Sequence, residues 1–357
     1  MKALAFAWRE LTKWRRPGLD TLIHYVTSAC PAACEHCYFL DKLNQPGDLT
    51  QAETFQLIGS IGPLNALLIG GGEPFVCRHL AAILSAYVVQ SGIRFAQIPT
   101  LGWHTARIVA CVETVLGKHP DLDLTINLSI DGFEPFHDRN RKLKGAWTAA
   151  FITLRRLKDL QAIHRGLRVG IVTVLMPGNV TSVLDFADMI WHEPAIRPDI
   201  HILEVMRAKD FPYFRSDIER IRTGWKHLIR GYYALPANGS TNLYRDRWLR
   251  PLARRFALRN FDIAVDNFLD TTRWPAGCVA GRKIAVVYPE GDLAVCELRP
   301  RADTLRRHGM DLRRAMAGPL FQAEAARVPG DHCDCTHGCF IPPSIRHSPR
   351  ALFGLFR

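Results

Sequence analysis

The sequence predicts an α/β fold: a partial (β/α)6 barrel of parallel strands, followed by a small C-terminal cysteine-rich α+β domain. Three observations carry this reading. Strand-like and helix-like segments alternate six times between residues 21 and 209. The composition then changes, with a cysteine-rich segment containing one hairpin from residue 274 to 345. Eight of the ten cysteines fall into two tight groups, one at each end of this arrangement. Residues 1–20 read as a basic extension, 210–273 as a helical connector and 346–357 as a tail.

The elements follow in order. Leu22 to Thr27 is an apolar, β-branched run and the first strand. Thr50-x-x-Glu53 is a capping box that opens a helix through Ile61. Ala66 to Ile69 is a short buried strand. Leu80, Ile83, Leu84, Tyr87 and Val88 recur with the spacing of one helical face. Ile93 to Ile98 reads as the third strand and Thr105 to Leu116 as its helix. Leu122, Leu124, Ile126 and Leu128 alternate as a strand does. Phe151, Leu154, Leu157 and Leu160 mark a helix, with Gly166 as its stop. Leu167 to Leu175 is the fifth strand. Asn179 or Thr181 caps a helix with Val180, Val183, Leu184, Ala187 and Ile190 on its apolar face, and Ile200 to Val205 is the sixth strand. Lys283 to Tyr288 and Leu293 to Cys296 flank the turn Pro289-Glu290-Gly291-Asp292. Parallel strands joined by right-handed helical crossovers curl into a barrel, and six units leave it open. Chemistry in such folds sits at the C-terminal ends of the strands.

Bulk properties bound the function. The 357 residues are 48% hydrophobic and 22% charged, which excludes a disordered chain. The net charge of +12 fits either an Arg-rich solvated surface or an acidic partner. No basic run is interleaved with aromatics, so nucleic acid is not an expected partner. No apolar run reaches the roughly 18 residues of a membrane span. Ala3 to Trp8 is too short for the core of a signal peptide, so the expected location is cytoplasmic. The N-terminal stretch and the tail with Leu352, Phe353, Leu355 and Phe356 either pack on the body or rest on a membrane surface. In a chain without an export signal, clustered cysteines read as metal ligands rather than disulfides.

Cys30, Cys34 and Cys37 follow directly on the first strand. An iron–sulfur cluster normally takes four cysteines, so three leave one iron open. A zinc site completed by His36 is the competing reading. The spacing Cys-x3-Cys-x2-Cys followed by Tyr38 resembles the signature of the radical S-adenosylmethionine superfamily. That resemblance implies a [4Fe-4S] cluster whose open iron binds S-adenosylmethionine. It also implies an external electron donor and cleavage to a 5′-deoxyadenosyl radical that abstracts hydrogen from a substrate. Gly70-Gly71-Gly72-Glu73-Pro74, after the second strand, looks like the family's Gly-Gly-Glu-Pro motif. Gly71, Gly72, Glu73 and Pro74 are therefore candidate cofactor contacts, with Glu73 as acceptor for the ammonium group. Ser129 and Asp131, after the fourth strand, resemble the family's Ser-x-Asp-Gly segment and, with Tyr38, complete the cofactor set. Asp131 alternatively braces its loop. His137, Asp138 and Arg141 follow as in relatives with C-terminal cluster domains. The chain departs from many relatives at Thr100-Leu101-Gly102, where they have Thr-Asn-Gly. Glu204 at the end of the sixth strand is a catalytic candidate beside Cys30, Cys34 and Cys37, with Arg207 and Lys209 just beyond. A surface salt bridge is its competing role.

Cys278, Cys296, Cys333, Cys335 and Cys339 resemble the auxiliary-cluster domains called SPASM and, in shorter form, twitch. Five cysteines imply one auxiliary [4Fe-4S] cluster and one spare thiol. Cys278, Cys296 and Cys339 are expected ligands, with Cys333 or Cys335 completing four; a zinc ribbon is the alternative. Cys77 and Cys111 read as core. The functional expectation is an oxidoreductase acting on a small molecule, and the basic pocket edge suits a phosphorylated or carboxylated one. A ribosomal-peptide maturase is the second reading; with 29 residues before Cys30, its peptide recogniser would be a separate protein. A non-catalytic nucleic-acid-binding scaffold is the third, and it leaves Glu73 and its glycines unexplained.

Overall fold

Six parallel strands form the frame: β1 (Thr21–Tyr25), β2 (Ala66–Gly70), β3 (Phe95–Thr100), β4 (Asp123–Ser129), β5 (Leu167–Leu175) and β6 (Ile200–Val205). Each pairs with its sequence neighbour in parallel register. The computed structural model describes residues 18–206, 217–235, 250–269, 277–331, 333 and 335–354. The N-terminal stretch through residue 17, Arg207, Lys209, Leu355 and Phe356 lie outside the described residues, as do parts of the connector.

Helices α1 (Gln51–Ile61), α2 (Leu80–Ala86), α3 (Thr105–Lys118), α4 (Glu134–Arg141), α5 (Ala146–Gln161) and α6 (Val183–His192) fill the crossovers. The strands carry Leu22, Leu67, Ala96, Ile98, Leu124, Ile126, Leu128, Val169 and Ile171 into the core, all fully buried. Near-continuous apolar runs of this kind are what strands covered by helices require. The predicted capping box is present: Thr50 Oγ1 accepts from Glu53 N at 3.2 Å, and Glu53 Oε2 accepts from Thr50 N at 2.8 Å. Replacing Thr50 by alanine should lower stability by about 1 kcal/mol, read as a shift in the denaturant midpoint at unchanged slope.

Two features differ from the sequence reading. Glu134–Arg141 is a helix of its own, where the motif had shown only a following stretch. Its polar residues hide it from a periodicity argument, because His137, Asn140 and Arg141 are the buried ones. The predicted C-terminal hairpin also does not build a sheet apart from the barrel. Its strands β7 (Ile284–Val287) and β8 (Asp292–Ala294), with β9 (Asp303–Thr304), extend the barrel sheet in the order β6-β5-β4-β3-β2-β1-β7-β8-β9. β7 runs parallel to β1, pairing Thr21–His24 with Ile284–Val287. All four β7 residues are buried, so the hairpin closes the edge that β1 would otherwise expose.

α7 (Ile218–Tyr232) and α8 (Arg250–Leu269) pack beyond β6. Trp225 of α7 packs tilted against Trp191 and edge-on to His201, and burial pushes the His201 imidazole down to about 3, keeping it neutral. Short helices α9 (Leu312–Ala317), α10 (Pro319–Arg327), α11 (Ile341–Arg346) and α12 (Pro349–Phe353) follow β9. Among the described residues, no helix is long and apolar enough to cross a membrane.

Candidate active site

The chemistry-bearing residues gather at the C-terminal ends of the strands. β1 ends at Tyr25 and the chain turns into the loop of Cys30, Cys34 and Cys37. Asn44 clamps the first of these: Cys30 N donates to Asn44 Oδ1 at 3.0 Å, and Asn44 Nδ2 donates to Cys30 O at 3.1 Å. The end of α4 holds the rest of the loop. Ala33 N donates to Arg141 O at 3.2 Å and Glu35 N to Asn140 O at 3.1 Å. Arg141 Nη1 lies 3.5 Å from Cys34 Sγ and donates to it.

Burial pushes the Cys30 thiol up to about 12 and raises Cys37 as well. Thiols in this state are poor free nucleophiles, and metal coordination is what deprotonates them. The three thiols interact with one another, but among the described residues no set of three thiols converges within 4.8 Å. A tetrahedral zinc holds its sulfurs about 3.8 Å apart, given Zn–S bonds of about 2.3 Å. Thiols on separate irons of a cluster stand wider. His36 is engaged elsewhere: its Nδ1 meets Asn140 Nδ2 at 3.2 Å, and burial lowers it to about 4. The site fits a cluster with one open iron better than the zinc alternative.

The glycines after β2 act on this loop. Gly72 N donates to Thr27 O and Glu73 N to Ala29 O, both at 2.8 Å. A Cβ on Gly71, whose φ is +139°, would lie 2.5 Å from Thr27 O, and one on Gly72 would lie 2.3 Å from Ala29 O. The close approach is therefore to the backbone that carries Cys30. Glu73 is buried and caps a turn over Pro74–Val76. Its Oε1 accepts from Phe75 N at 3.2 Å and Thr100 Oγ1 at 2.8 Å, and its Oε2 from Leu101 N at 2.7 Å. Burial raises its carboxyl, and these three donors oppose that rise. Leu101 thus serves the site through its amide, which a Leu supplies as well as an Asn. The Glu73 carboxylate is mostly committed to bracing β3, with one acceptor position left on Oε2.

Asp131 is the second hub. Its Oδ1 accepts from Arg141 Nη2 at 2.9 Å and Val174 N at 3.2 Å, and its Oδ2 from Asn140 Nδ2 at 2.7 Å. Arg141 Nε lies 2.8 Å from Oδ2. Burial alone would raise this carboxyl; Arg141, His36 and His137 outweigh it and hold it down at about 2. Asp131 therefore braces the end of α4, which holds the cysteine loop. Ser129 sits half-buried at the end of β4, opposite Val172 of β5.

The C-terminal cysteines gather. Cys278 interacts with Cys333, Cys296 with Cys278, and Cys335 with both Cys333 and Cys296. Cys296 Sγ accepts from Leu298 N and Cys335 Sγ from His337 N, each at 3.4 Å. Burial pushes Cys296 up to about 12. Cys339 takes its interactions from Glu297, His337 and Glu204 instead. All five thiols thus lie in one neighbourhood, Cys339 on its Glu297 and His337 side.

The loop bearing Cys335 and Cys339 spans the barrel mouth. On one side His337 Nε2 lies 3.0 Å from Glu297 Oε2, next to Cys296. On the other, Gly338 N donates to Glu204 Oε1 at 2.9 Å, at the end of β6. Tyr38 does not turn to the glycine loop. Its hydroxyl meets Tyr25 Oη at 2.5 Å and donates to Glu297 Oε1 at 3.0 Å. Tyr25 donates to the same oxygen at 2.5 Å. Burial would lower His337, but Glu297 overrides it and holds the imidazole above its ordinary range. Tyr25, Asn44, Asn140, Glu297 and His337 were not site candidates in the sequence. Adjacency was the available signal for two of them, since Glu297 follows Cys296 and His337 lies between Cys335 and Cys339.

Residues 24–190 match the family described as the Radical SAM superfamily. This part of the chain is a radical SAM domain. Such domains use a [4Fe-4S] cluster and S-adenosylmethionine, which the three-thiol loop fits. The Fe-coproporphyrin III synthase of Methanosarcina barkeri is 28% identical over 188 residues, 52% of this chain and 44% of that protein. The mycofactocin maturase MftC of Mycobacterium tuberculosis is 24% identical over 302 residues, 78% of this chain and 65% of that protein. The chain thus spans less than two thirds of the length of either relative. Among solved structures, anSMEcpe with bound AdoMet and Cp18Cys peptide superposes with a TM-score of 0.55 at 15% identity, covering 86% of this chain and 82% of that one. Streptococcus suis SuiB bound to its precursor peptide SuiA gives 0.51 at 13%, covering 90% and 71%. At these identities the likeness is one of fold.

Proposed function

We propose that the chain is a radical S-adenosylmethionine oxidoreductase with a second, auxiliary [4Fe-4S] cluster on Cys278, Cys296 and Cys339, with Cys333 or Cys335 completing the four. The carrying observation is the three-thiol loop at the end of β1, held by Asn44, Arg141 and the glycine turn with one ligand position left over. Bound there, the cluster and S-adenosylmethionine supply a 5′-deoxyadenosyl radical for hydrogen abstraction. The chain's own residues position and enclose. Glu73, with its remaining acceptor position, and Ser129 line the strand ends that the cofactor would meet. The Cys335–Cys339 loop covers the mouth between Glu204 and Glu297.

A peptide substrate is the better supported reading. The relative covering 78% of the chain is a maturase, and both solved relatives carry peptides. A small molecule remains the second reading, favoured by the coproporphyrin synthase that matches 52% of the chain. The described groups beside His337 are the carboxylates Glu204 and Glu297, so this side of the mouth does not favour an anion.

The test is anaerobic reconstitution with iron and sulfide, reduction, and assay of 5′-deoxyadenosine beside a Cys30/Cys34/Cys37→Ala variant. Wild type is expected to form it and the variant none, while the variant keeps about four irons on the auxiliary thiols. A wild type that forms none and holds zinc would sink the proposal.

A further inference from the structure

The three thiols of the N-terminal loop are steadied from different parts of the chain. Cys30 is clamped by Asn44, and Cys34 is reached by Arg141. Cys37 N donates to Cys34 O at 3.1 Å, inside the loop itself. What ties Cys37 to the body of the protein is the pair of residues that follows it. Tyr38 Oη donates to Glu297 Oε1 at 3.0 Å, and the Phe39 ring stacks on Tyr288 with centroids 5.9 Å apart. We propose that Glu297 is a positioning residue for the chemistry of the three-thiol loop, buckling the C-terminal cysteine segment to Tyr38 and so setting Cys37. The proposal rests on the cluster reading of that loop given above.

Glu297 suits this task because donors surround its buried carboxylate. Tyr25 Oη donates to the same Oε1 at 2.5 Å. On the other side, His337 Nε2 stands 3.0 Å from Oε2. His337 Nδ1 accepts from Cys339 N at 3.2 Å, so Nε2 is the nitrogen that carries its proton toward the carboxylate. The pair offsets the cost of burying the charge. Position in the sequence turns this group into a link. Glu297 follows Cys296, His337 lies between Cys335 and Cys339, Tyr38 follows Cys37, and Tyr25 ends β1.

The link can hold a position because both of its ends are fixed. The loop of His337 is pinned to β6, where Gly338 N donates to Glu204 Oε1 at 2.9 Å. Tyr38 is 52% exposed, so its hydroxyl bond, and not close packing all round, sets where its ring stands. Only a carboxylate serves every donor here, since each of its two oxygens accepts. In Glu297→Gln one oxygen becomes an NH2, and the single remaining oxygen cannot accept from the tyrosines and from His337 together.

The test uses the holoenzyme, reconstituted anaerobically with iron and sulfide and then reduced. Iron is counted, 5′-deoxyadenosine formation is timed, and electron paramagnetic resonance spectra are compared with and without S-adenosylmethionine. The change that S-adenosylmethionine causes reports the N-terminal cluster, whose open iron receives it. Tyr38→Phe should keep about eight irons. It should alter that spectral change and lower 5′-deoxyadenosine formation about tenfold, the worth of one hydrogen bond to a charged group. Glu297→Gln, made in the other segment, should alter the same spectral change. The double variant should fall no more than about twofold below the weaker single one, because both substitutions open one link. Losses that multiply in the double variant overturn the buckle. So does a Tyr38→Phe chain with the wild-type spectrum and rate, and this variant decides alone if Glu297→Gln loses iron from the C-terminal thiols. A wild type that forms no 5′-deoxyadenosine sinks the cluster reading and the buckle with it, whereas an active wild type with an unaffected Tyr38→Phe sinks the buckle alone.

Discussion

Gly72→Ala is expected to strip iron from the N-terminal thiols and to lower 5′-deoxyadenosine formation about 100-fold, because displacements near 1 Å at a reacting centre have effects of that order. The methyl would sit 2.3 Å from Ala29 O and 2.7 Å from Ser28 O. Both neighbours are backbone, so no side chain can swing aside. The segment that must yield is Thr27–Cys30, tied down by Gly72 N to Thr27 O and by the Asn44 clamp on Cys30. Moving it shifts the first thiol relative to the other two. The control is Gly117→Ala in α3, where an added Cβ meets nothing within 4 Å. In an exposed helical position that change should be neutral or stabilise by up to about 1 kcal/mol. Iron content and 5′-deoxyadenosine yield read both variants. A Gly72→Ala chain with wild-type iron and yield would show that the turn does not set the cysteine loop.

The barrel was legible because its signals are local. Alternating strand and helix patterns need only nearest neighbours in sequence, and the strand ends fell where the motifs were. The strands drifted slightly: β3 begins at Phe95 rather than Ile93, since apolar content does not mark where ladder bonds start. The helix Glu134–Arg141 escaped because its buried face is polar. It is polar because it binds a charge, and periodicity of apolar residues cannot see that. The hairpin's attachment to β1 escaped for another reason. Nothing in Ile284–Val287 names its partner, which lies some 260 residues earlier along the chain.

The same limit shaped the site. The resemblance located the residues that meet in one loop, Cys30, Cys34 and Cys37, but not what steadies them. Glu73 also braces Thr100 and Leu101. Tyr38 also reaches Glu297, 259 residues away. Both are long-range hydrogen bonds, whose partners only the folded chain brings together.

Asp131→Asn should be the most destabilising single change outside the apolar core. Arg141 is buried at the loop, and Asp131 is its carboxylate partner at 2.8 and 2.9 Å. Removing one member of a buried pair leaves the other charge uncompensated, a loss of about 3–5 kcal/mol. It should also loosen the end of α4 and so the backbone of Ala33 and Glu35, with iron content falling alongside stability. The pH dependence fixes the sign. The folded carboxyl is held at about 2, below its ordinary 3.8. Ionised Asp131 therefore stabilises fully above 3.8, and this contribution, on the order of 2 kcal/mol, fades only as pH falls from 3.8 through about 2. Between pH 6 and 9 the pair stays fully charged. The difference in Tm between wild type and Asp131→Asn should accordingly be large and the same at pH 6 and pH 9. A gap that shrinks at either end would mean that another titrating group, and not this carboxylate, holds Arg141 in place.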